Sequence, residues 1–469
     1  MKIQRPLAVQ QKVTFASVRY LKSIAAKAAR GLLPLLAVTL LCGANLTPAS
    51  AATFQAGDQW CAIGDSITHG GSYHRYIYLF QSTRFPNAPV DFFNCGISGD
   101  TASGALRRFN ADILAHKPSV ATIMLGMNDV SRNLYDEGLS APDLQERRDK
   151  AIAAHCANMR TLAEKLQAAG TRMIFLTPSI FDETAMIPRP NSPGVNGALA
   201  KCAESAKQLA HEFHGALVDF HGPMTELNRK EQLANPAATI IGADRIHPGE
   251  LGHFIMAYLF LKSQGAPQFV ADITVDAAGK DTLSFTQKED ALPFPVSKDC
   301  APALKLVPFM EDLNQERLRV TNLPEGSYKL SIDNELISTF TASELASGIN
   351  LAAFQNTPQF KQAQAVAKMD EKRLTVLKRL RGIDYIEWKM GRDIGDPTEF
   401  DFAVSAQKII DDPKQIGYVR DRAKEYVAIK PEQAALQKQL QEIVAEIRTA
   451  SQPKPLCRRS KVKRQGVMS

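Results

Sequence analysis

The chain has 469 residues, 45% of them hydrophobic and 22% charged, with a formal net charge of +7. This is the composition of an ordinary soluble globular protein, and it excludes a disordered, collagen-like or disulfide-scaffold chain. The positive balance does not imply a nucleic-acid partner, because it comes from one end of the sequence.

From Met1 to Ala51 there are seven basic residues (Lys2, Arg5, Lys12, Arg19, Lys22, Lys27 and Arg30) and no acidic one. The apolar run GLLPLLAVTLLCGA within this stretch has about the length of a signal-peptide core and is short for a membrane span. Ala49-Ser50-Ala51 then supplies the small-x-small pattern that a signal peptidase needs. Residues 1–51 read as an export signal, which implies a periplasmic or secreted protein without a stable membrane anchor once the signal is removed. The charged leader is unusually long, leaving room for a start codon further in. Cys42 follows Leu41 rather than a small residue, which argues against lipidation there. Removing the seven positive charges from +7 leaves a mature chain near zero.

Between residues 52 and 265, short apolar runs alternate with longer amphipathic ones. QWCAIGDS, VDFFNCGI, ATIMLGMN, RMIFLTPS and GALVDF read as strands buried on both faces. ERRDKAIAAHCANMRTLAEKLQAAG reads as a helix closed by Gly170. Such alternation predicts an α/β fold, a three-layer sandwich with a central parallel sheet, in which ligands bind at the carboxyl ends of the strands.

Four polar or glycine-rich clusters lie at or near those ends: Gly64-Asp65-Ser66, Asn94 to Gly99, Gly126-x-Asn128-Asp129 and Asp244-x-x-His247. In these residues the chain resembles the SGNH, or GDSL, hydrolase family of esterases and lipases, over about Trp60 to Gly265. Cys95 departs from the small or apolar residue expected at its place, without touching an assigned role. The resemblance implies that Ser66, Gly99 and Asn128 form the oxyanion hole.

The residue types fit that chemistry independently. A serine hydroxyl needs a base to take its proton as it attacks, and His247 is the candidate. An imidazole needs a carboxylate to fix its tautomer, and Asp244 lies within one turn of it. The catalytic set is therefore Ser66, Asp244 and His247. The Ser66 N–H, the Gly99 N–H and the Asn128 side-chain amide can donate to an oxyanion. Asp65 and Asp129 read as turn-pinning residues. His69 and His74 lie on an amphipathic stretch, where packing is the ordinary role and pocket lining the alternative. Residues 181–196 form a proline-rich loop, a candidate substrate rim.

Beyond Gly265 the pattern changes. Residues 268–342 alternate apolar and polar around Ala278-Gly279 and Pro324-Glu325-Gly326, predicting antiparallel hairpins. Residues 343–452 read as a helical region, with Thr357 capping and Pro358 opening a helix. Its plain role is support packing, with carbohydrate binding as the alternative. Residues 453–469 form a basic tail, read as solvated, with contact to an anionic surface as the alternative.

Six cysteines lie beyond the leader, with no metal-ligand spacing, so neither a metal site nor any cofactor is assigned. Cys61 and Cys95 read as buried thiols, and a Cys156–Cys202 bridge is geometrically open. The leading function is an exported serine esterase acting on small acyl esters, foremost O-acetyl groups on carbohydrate. A lipase, lysophospholipase or thioesterase is the alternative, and a noncatalytic glycan-binding protein the third. The partner implied is an acyl ester, such as an acetylated polysaccharide, and no nucleic acid.

Overall fold

The computed structural model describes residues 54–391, 401–414, 417–455 and 457–465. The export signal expected at 1–51 lies outside the described residues.

Five strands form one parallel sheet: β1 (Gln59–Gly64), β2 (Asp91–Gly96), β3 (Val120–Met124), β4 (Arg172–Leu176) and β5 (Ala216–Val218), in the order β2-β1-β3-β4-β5. Their side chains alternate between two cores. Trp60, Ala62, Val120, Met124 and Ile174 face one, while Cys61, Ile63, Cys95, Ile123 and Phe175 face the other. Both faces are buried, so the strands read as continuous apolar runs rather than as alternating ones.

The connecting helices cover both faces. They are α1 (Ser66–His69), α2 (Tyr73–Arg84), α3 (Ala102–Arg107), α4 (Leu144–Ala168), α5 (Val195–Glu212), α6 (His221–Ala234) and α7 (Glu250–Ser263). Helices α2 and α7 supply the first core and α3 and α4 the second. This is the three-layer α/β sandwich that the alternation predicts. From β1 the chain moves outward to β2, then crosses back over β1 to β3. The strand order therefore reverses between β1 and β3, where such sheets open a crevice at their carboxyl ends.

The region after α7 holds β6 (Phe269–Asp276), β7 (Thr282–Lys288), α8 (Phe309–Leu313), β8 (Gln315–Thr321), β9 (Ser327–Ile332), β10 (Glu335–Thr341), α9 (Ala342–Ser347) and β11 (Ile349–Asn350). Here the hairpin expectation is corrected. The turn at Ala278-Gly279 leads from β6 in one sheet to β7 in another, and the turn at Pro324–Gly326 does the same between β8 and β9. The turn residues bend the chain as expected, but the strands they join lie in two facing sheets that share a core of Leu318, Val320, Tyr328, Leu330 and Val462. Of the strands in this region, β9 and β10 pair through a tight turn, at Asp333-Asn334, where both residues have positive φ.

The basic tail is also corrected. Cys457–Arg464 is a strand, β12, lying between β9 and β7 and paired antiparallel with both. Arg458, Ser460 and Val462 face inward and are buried. Arg458 is accommodated there because Nη1 donates to Asp333 at 2.9 Å and Nη2 to the Lys454 carbonyl at 2.9 Å.

The helical region consists of α10 (Pro358–Lys389), α11 (Phe402–Asp411), α12 (Tyr418–Ile429) and α13 (Gln433–Ser451). Thr357 caps α10 by accepting the Phe360 N–H, and Pro358 occupies its first turn, as expected. Val366, Val376 and Leu377 of α10 and Leu436, Ile443 and Ile447 of α13 join the same core as Trp60, Ile77 and Phe254. The helices thus bury apolar surface directly against the α/β sandwich. Among the described residues no helix is long and apolar enough to cross a membrane.

All six described cysteines are free, so the Cys156–Cys202 bridge is not formed. Cys202 points inward, with its Cβ about 3.5 Å from where a Gly126 side chain would start. The buried residue of α4 at this level is His155, whereas Cys156, a further ~100° around the helix, is half-buried.

Candidate active site

Ser66 opens α1 directly after β1. Asp65 caps that helix, its carboxylate accepting the Ile67 N–H at 2.9 Å. The half-buried Ser66 Oγ lies 2.7 Å from His247 Nε2, and His247 Nδ1 lies 2.5 Å from Asp244 Oδ2. The other oxygen of Asp244 accepts the N–H groups of Ile246 and His247, each at 3.0 Å, so the carboxylate holds both the ring and the turn that carries it. Partial burial pushes the Asp244 carboxyl upward. The hydrogen bonds from the His247 side chain and from the two backbone N–H groups outweigh this and hold it below the usual aspartate value.

Gly96 ends β2 where the chain passes α1 so closely that a Cβ would sit 2.4 Å from the His69 nitrogen. Gly99, three residues on, has φ +76° and an open, exposed surface before it. Asn94 clamps the same turn to α1, donating to the carbonyls of Thr68 and His69 while accepting the Gly96 N–H. From the end of β3, the Asn128 amide nitrogen donates to the Asp100 carbonyl at 2.8 Å. Its oxygen accepts from Arg132 at 3.1 Å, which orients the amide. An amide nitrogen carries two hydrogens, so one remains for a further acceptor.

Asp129 accepts the Ala102 N–H at 2.9 Å and lies 3.2 Å from His155 Nδ1, pinning the turn as its position suggests. His74 is fully buried, with Nε2 2.8 Å from the Thr68 carbonyl. His69 is buried as well, its Nδ1 accepting from the Ser98 N–H and hydroxyl. Burial pushes both imidazoles down to about 3, so each is neutral at ordinary pH. The pocket-lining alternative for these histidines therefore gives way to packing.

Two clamps escaped the sequence reading. Arg245, the residue after Asp244, is buried with φ +66° and donates to the carbonyls of Asp182, Ala185, Ile187, Arg189 and Pro190. Arg381, far along the chain on α10, donates to the Gly96 carbonyl at 2.8 Å. A basic residue inside the Asp244-x-x-His247 motif is a local signal for the first, but nothing in the sequence announces the second.

Residues 62–255 match the GDSL-like lipase/acylhydrolase family. An acetylxylan esterase of Geobacillus stearothermophilus is 28% identical over 225 residues, spanning 45% of this chain and 95% of that protein. The esterase TesA of Pseudomonas aeruginosa is 29% identical over 119 residues, 24% of this chain and 51% of that protein. Among solved structures, a gut microbial diltiazem-metabolizing enzyme superposes with a TM-score of 0.80 at 29% identity, covering 89% of this chain and all of the other. That coverage reaches well beyond the hydrolase segment, so the appended sheets and helices belong to a shared architecture. With the parallel sheet, three motif clusters following its strand ends and the fourth leading into α7, residues 62–255 form a hydrolase domain of the SGNH/GDSL family, and the chain is a carboxylic-ester hydrolase.

Proposed function

We propose that this chain is an exported serine esterase that removes small acyl groups, acetyl foremost, from carbohydrate. The observation that carries the reading is the hydrogen-bonded chain from Ser66 Oγ through His247 to Asp244, beside a sheet end with spare donors. His247 Nε2 takes the Ser66 proton as Oγ attacks the ester carbonyl, and Asp244 stabilises the imidazolium that forms. The oxygen that becomes negative receives the N–H groups of Ser66 and Gly99 and the second amide hydrogen of Asn128. His247 returns the proton to the departing alcohol. Water, deprotonated by the same imidazole, then releases the acyl group from Ser66.

The acetyl assignment rests on the polar, small and glycine-rich residues around the site, SGDTASG and RPNSPGVN, and on the acetylxylan esterase relative. Export rests on the basic leader and the apolar run behind it. Likeness along most of the chain to an enzyme that metabolizes diltiazem favours a second reading, in which the ester is borne by a small molecule rather than a polymer. A panel of acetylated polysaccharides and small acetyl esters, with acyl chains graded from acetate to octanoate, tests these together. Highest kcat/KM on acetate, falling as the chain lengthens, supports deacetylation. A rise of about 0.8 kcal/mol in binding per added methylene would instead mark a lipase or thioesterase groove.

A further inference from the structure

The turn that carries Gly99 is held from outside the hydrolase segment. Ile97, between Gly96 and Gly99, is buried in a cluster formed by Ile383, Tyr385 and Ile386 of α10, Ala406 of α11, and Ala423 and Tyr426 of α12. On α10, Arg381 is itself buried, with Nε on the Gly96 carbonyl and its two terminal nitrogens on the two oxygens of Asp112, each at 2.6 Å. Arg108 shares Asp112 and donates through Nε to Asp100 at 2.8 Å. The Asp100 carbonyl is the acceptor that orients Asn128. Arg381 therefore holds the Gly96 side of the proposed oxyanion hole directly, and an ionic chain through Asp112 and Arg108 to the Asp100 carboxylate reaches the Asn128 side. Cys95, Asp112 and His116 lie close enough together to resemble a metal site, but the two guanidinium groups already occupy the Asp112 oxygens.

We infer that Arg381 is a positioning residue for the oxyanion hole: through Gly96 and the Asp112–Arg108–Asp100 chain, the appended helix α10 sets where the Gly99 N–H and the Asn128 amide point. The inference rests on the oxyanion reading of Gly99 and Asn128. It gives the helical region a part in catalysis beyond covering apolar surface. A misplacement of about 1 Å at such a donor is enough to cost up to a hundredfold in rate.

The test compares Arg381→Gln and Arg381→Lys with Arg448→Met in the full chain. Arg448 is a useful control because it ties α13 to Asp91, the first residue of the same strand whose last residue Arg381 holds. Arg381→Gln should lower kcat per folded molecule about tenfold to a hundredfold, with KM within about twofold. Arg381→Lys should recover thermal stability more than kcat, since one ammonium can neutralise Asp112 but cannot also hold the Gly96 carbonyl in the guanidinium geometry. Arg448→Met should shift Tm alone. If the Arg381 variants do not fold, Ile97→Ala asks the same question from the apolar side and should show the same loss of kcat. Combined with Asn128→Ala, the Arg381→Gln loss should be less than multiplicative, because both act on one hole. Unchanged kcat in folded Arg381→Gln or Ile97→Ala overturns the inference, as does an equal kcat loss in Arg448→Met. If Asn128→Ala alone leaves kcat intact, the oxyanion reading falls, and this inference with it.

Discussion

Arg245 and Asp182 are tied in both directions: the Asp182 N–H donates to the Arg245 carbonyl at 3.0 Å, and Arg245 Nη1 donates to the Asp182 carbonyl at 2.8 Å. The same guanidinium gathers four more carbonyls of the 185–190 segment. The loop beside the strand ends and the turn carrying Asp244 and His247 are thereby one unit. Arg245→Ala leaves the buried Asp182 carbonyl without its donor, at a cost of about 1 to 3 kcal/mol if unsatisfied, and removes one donor from each of the carbonyls of Ala185, Ile187, Arg189 and Pro190. The expected outcome is faster proteolytic cleavage within 183–192 and a raised KM, measured by limited proteolysis and steady-state kinetics. A variant with unaltered proteolysis would mean that the loop holds its shape without the strap.

Asn128→Ala should lower kcat by about a hundredfold or more, the loss of one oxyanion donor, with a much smaller change in KM. Because Asn128 also holds the Asp100 carbonyl, Tm should be measured alongside. A collapse of Tm with kcat per folded molecule intact would make Asn128 purely structural.

Asp65 gives a pH signature. Burial, with a smaller contribution from the Asp129 charge, raises its carboxyl to about 7, against the Ile67 hydrogen bond that lowers it. The folded state therefore holds a proton between about pH 4 and 7 that the unfolded state has released, and stability from this group falls as pH rises through that window. Asp65→Asn keeps the acceptor for the Ile67 N–H and cannot ionise. Relative to the parent, it should gain stability from pH 4 to pH 8, by on the order of 4 kcal/mol at most. Urea midpoints at the two pH values measure this, and a difference that does not change with pH would show that Asp65 stays ionised.

Strand β12 makes a prediction about the end of the chain. Deleting residues 456–469 removes the strand between β9 and β7, exposing two strand edges and the apolar core around Tyr328 and Leu330. The truncated protein should aggregate or lose the cooperative melting of the full chain, followed by calorimetry and light scattering. Unchanged melting would show that the facing sheets close without it.

How much of this was legible depended on the range of the contacts. The runs around Trp60, Phe93 and Ile123 identify buried parallel strands because both of their faces meet apolar layers. The serine, the histidine and Asp244 sit in short motifs whose chemistry can be read within a few residues. The β12 strand was hidden because its inward residues include Arg458 and Ser460, whose polar partners, Asp333 and Gln287, lie more than a hundred residues away. The destinations of the turns at Ala278 and Pro324 were hidden for a similar reason: a turn residue fixes a bend, not which sheet the next strand joins. Ile97 looks like any loop isoleucine until α10, α11 and α12 close around it.

The proposed reaction begins with attack of Ser66 Oγ on the ester. Its most direct measurement is kcat/KM of Ser66→Ala on an acetate ester, with circular dichroism and Tm recorded on the same preparation. Replacing one half-buried hydroxyl should leave the fold and Tm nearly unchanged while hydrolysis falls by roughly four to six orders of magnitude. A folded Ser66→Ala protein that retains more than a small fraction of the parent activity would rule out Ser66 as the nucleophile.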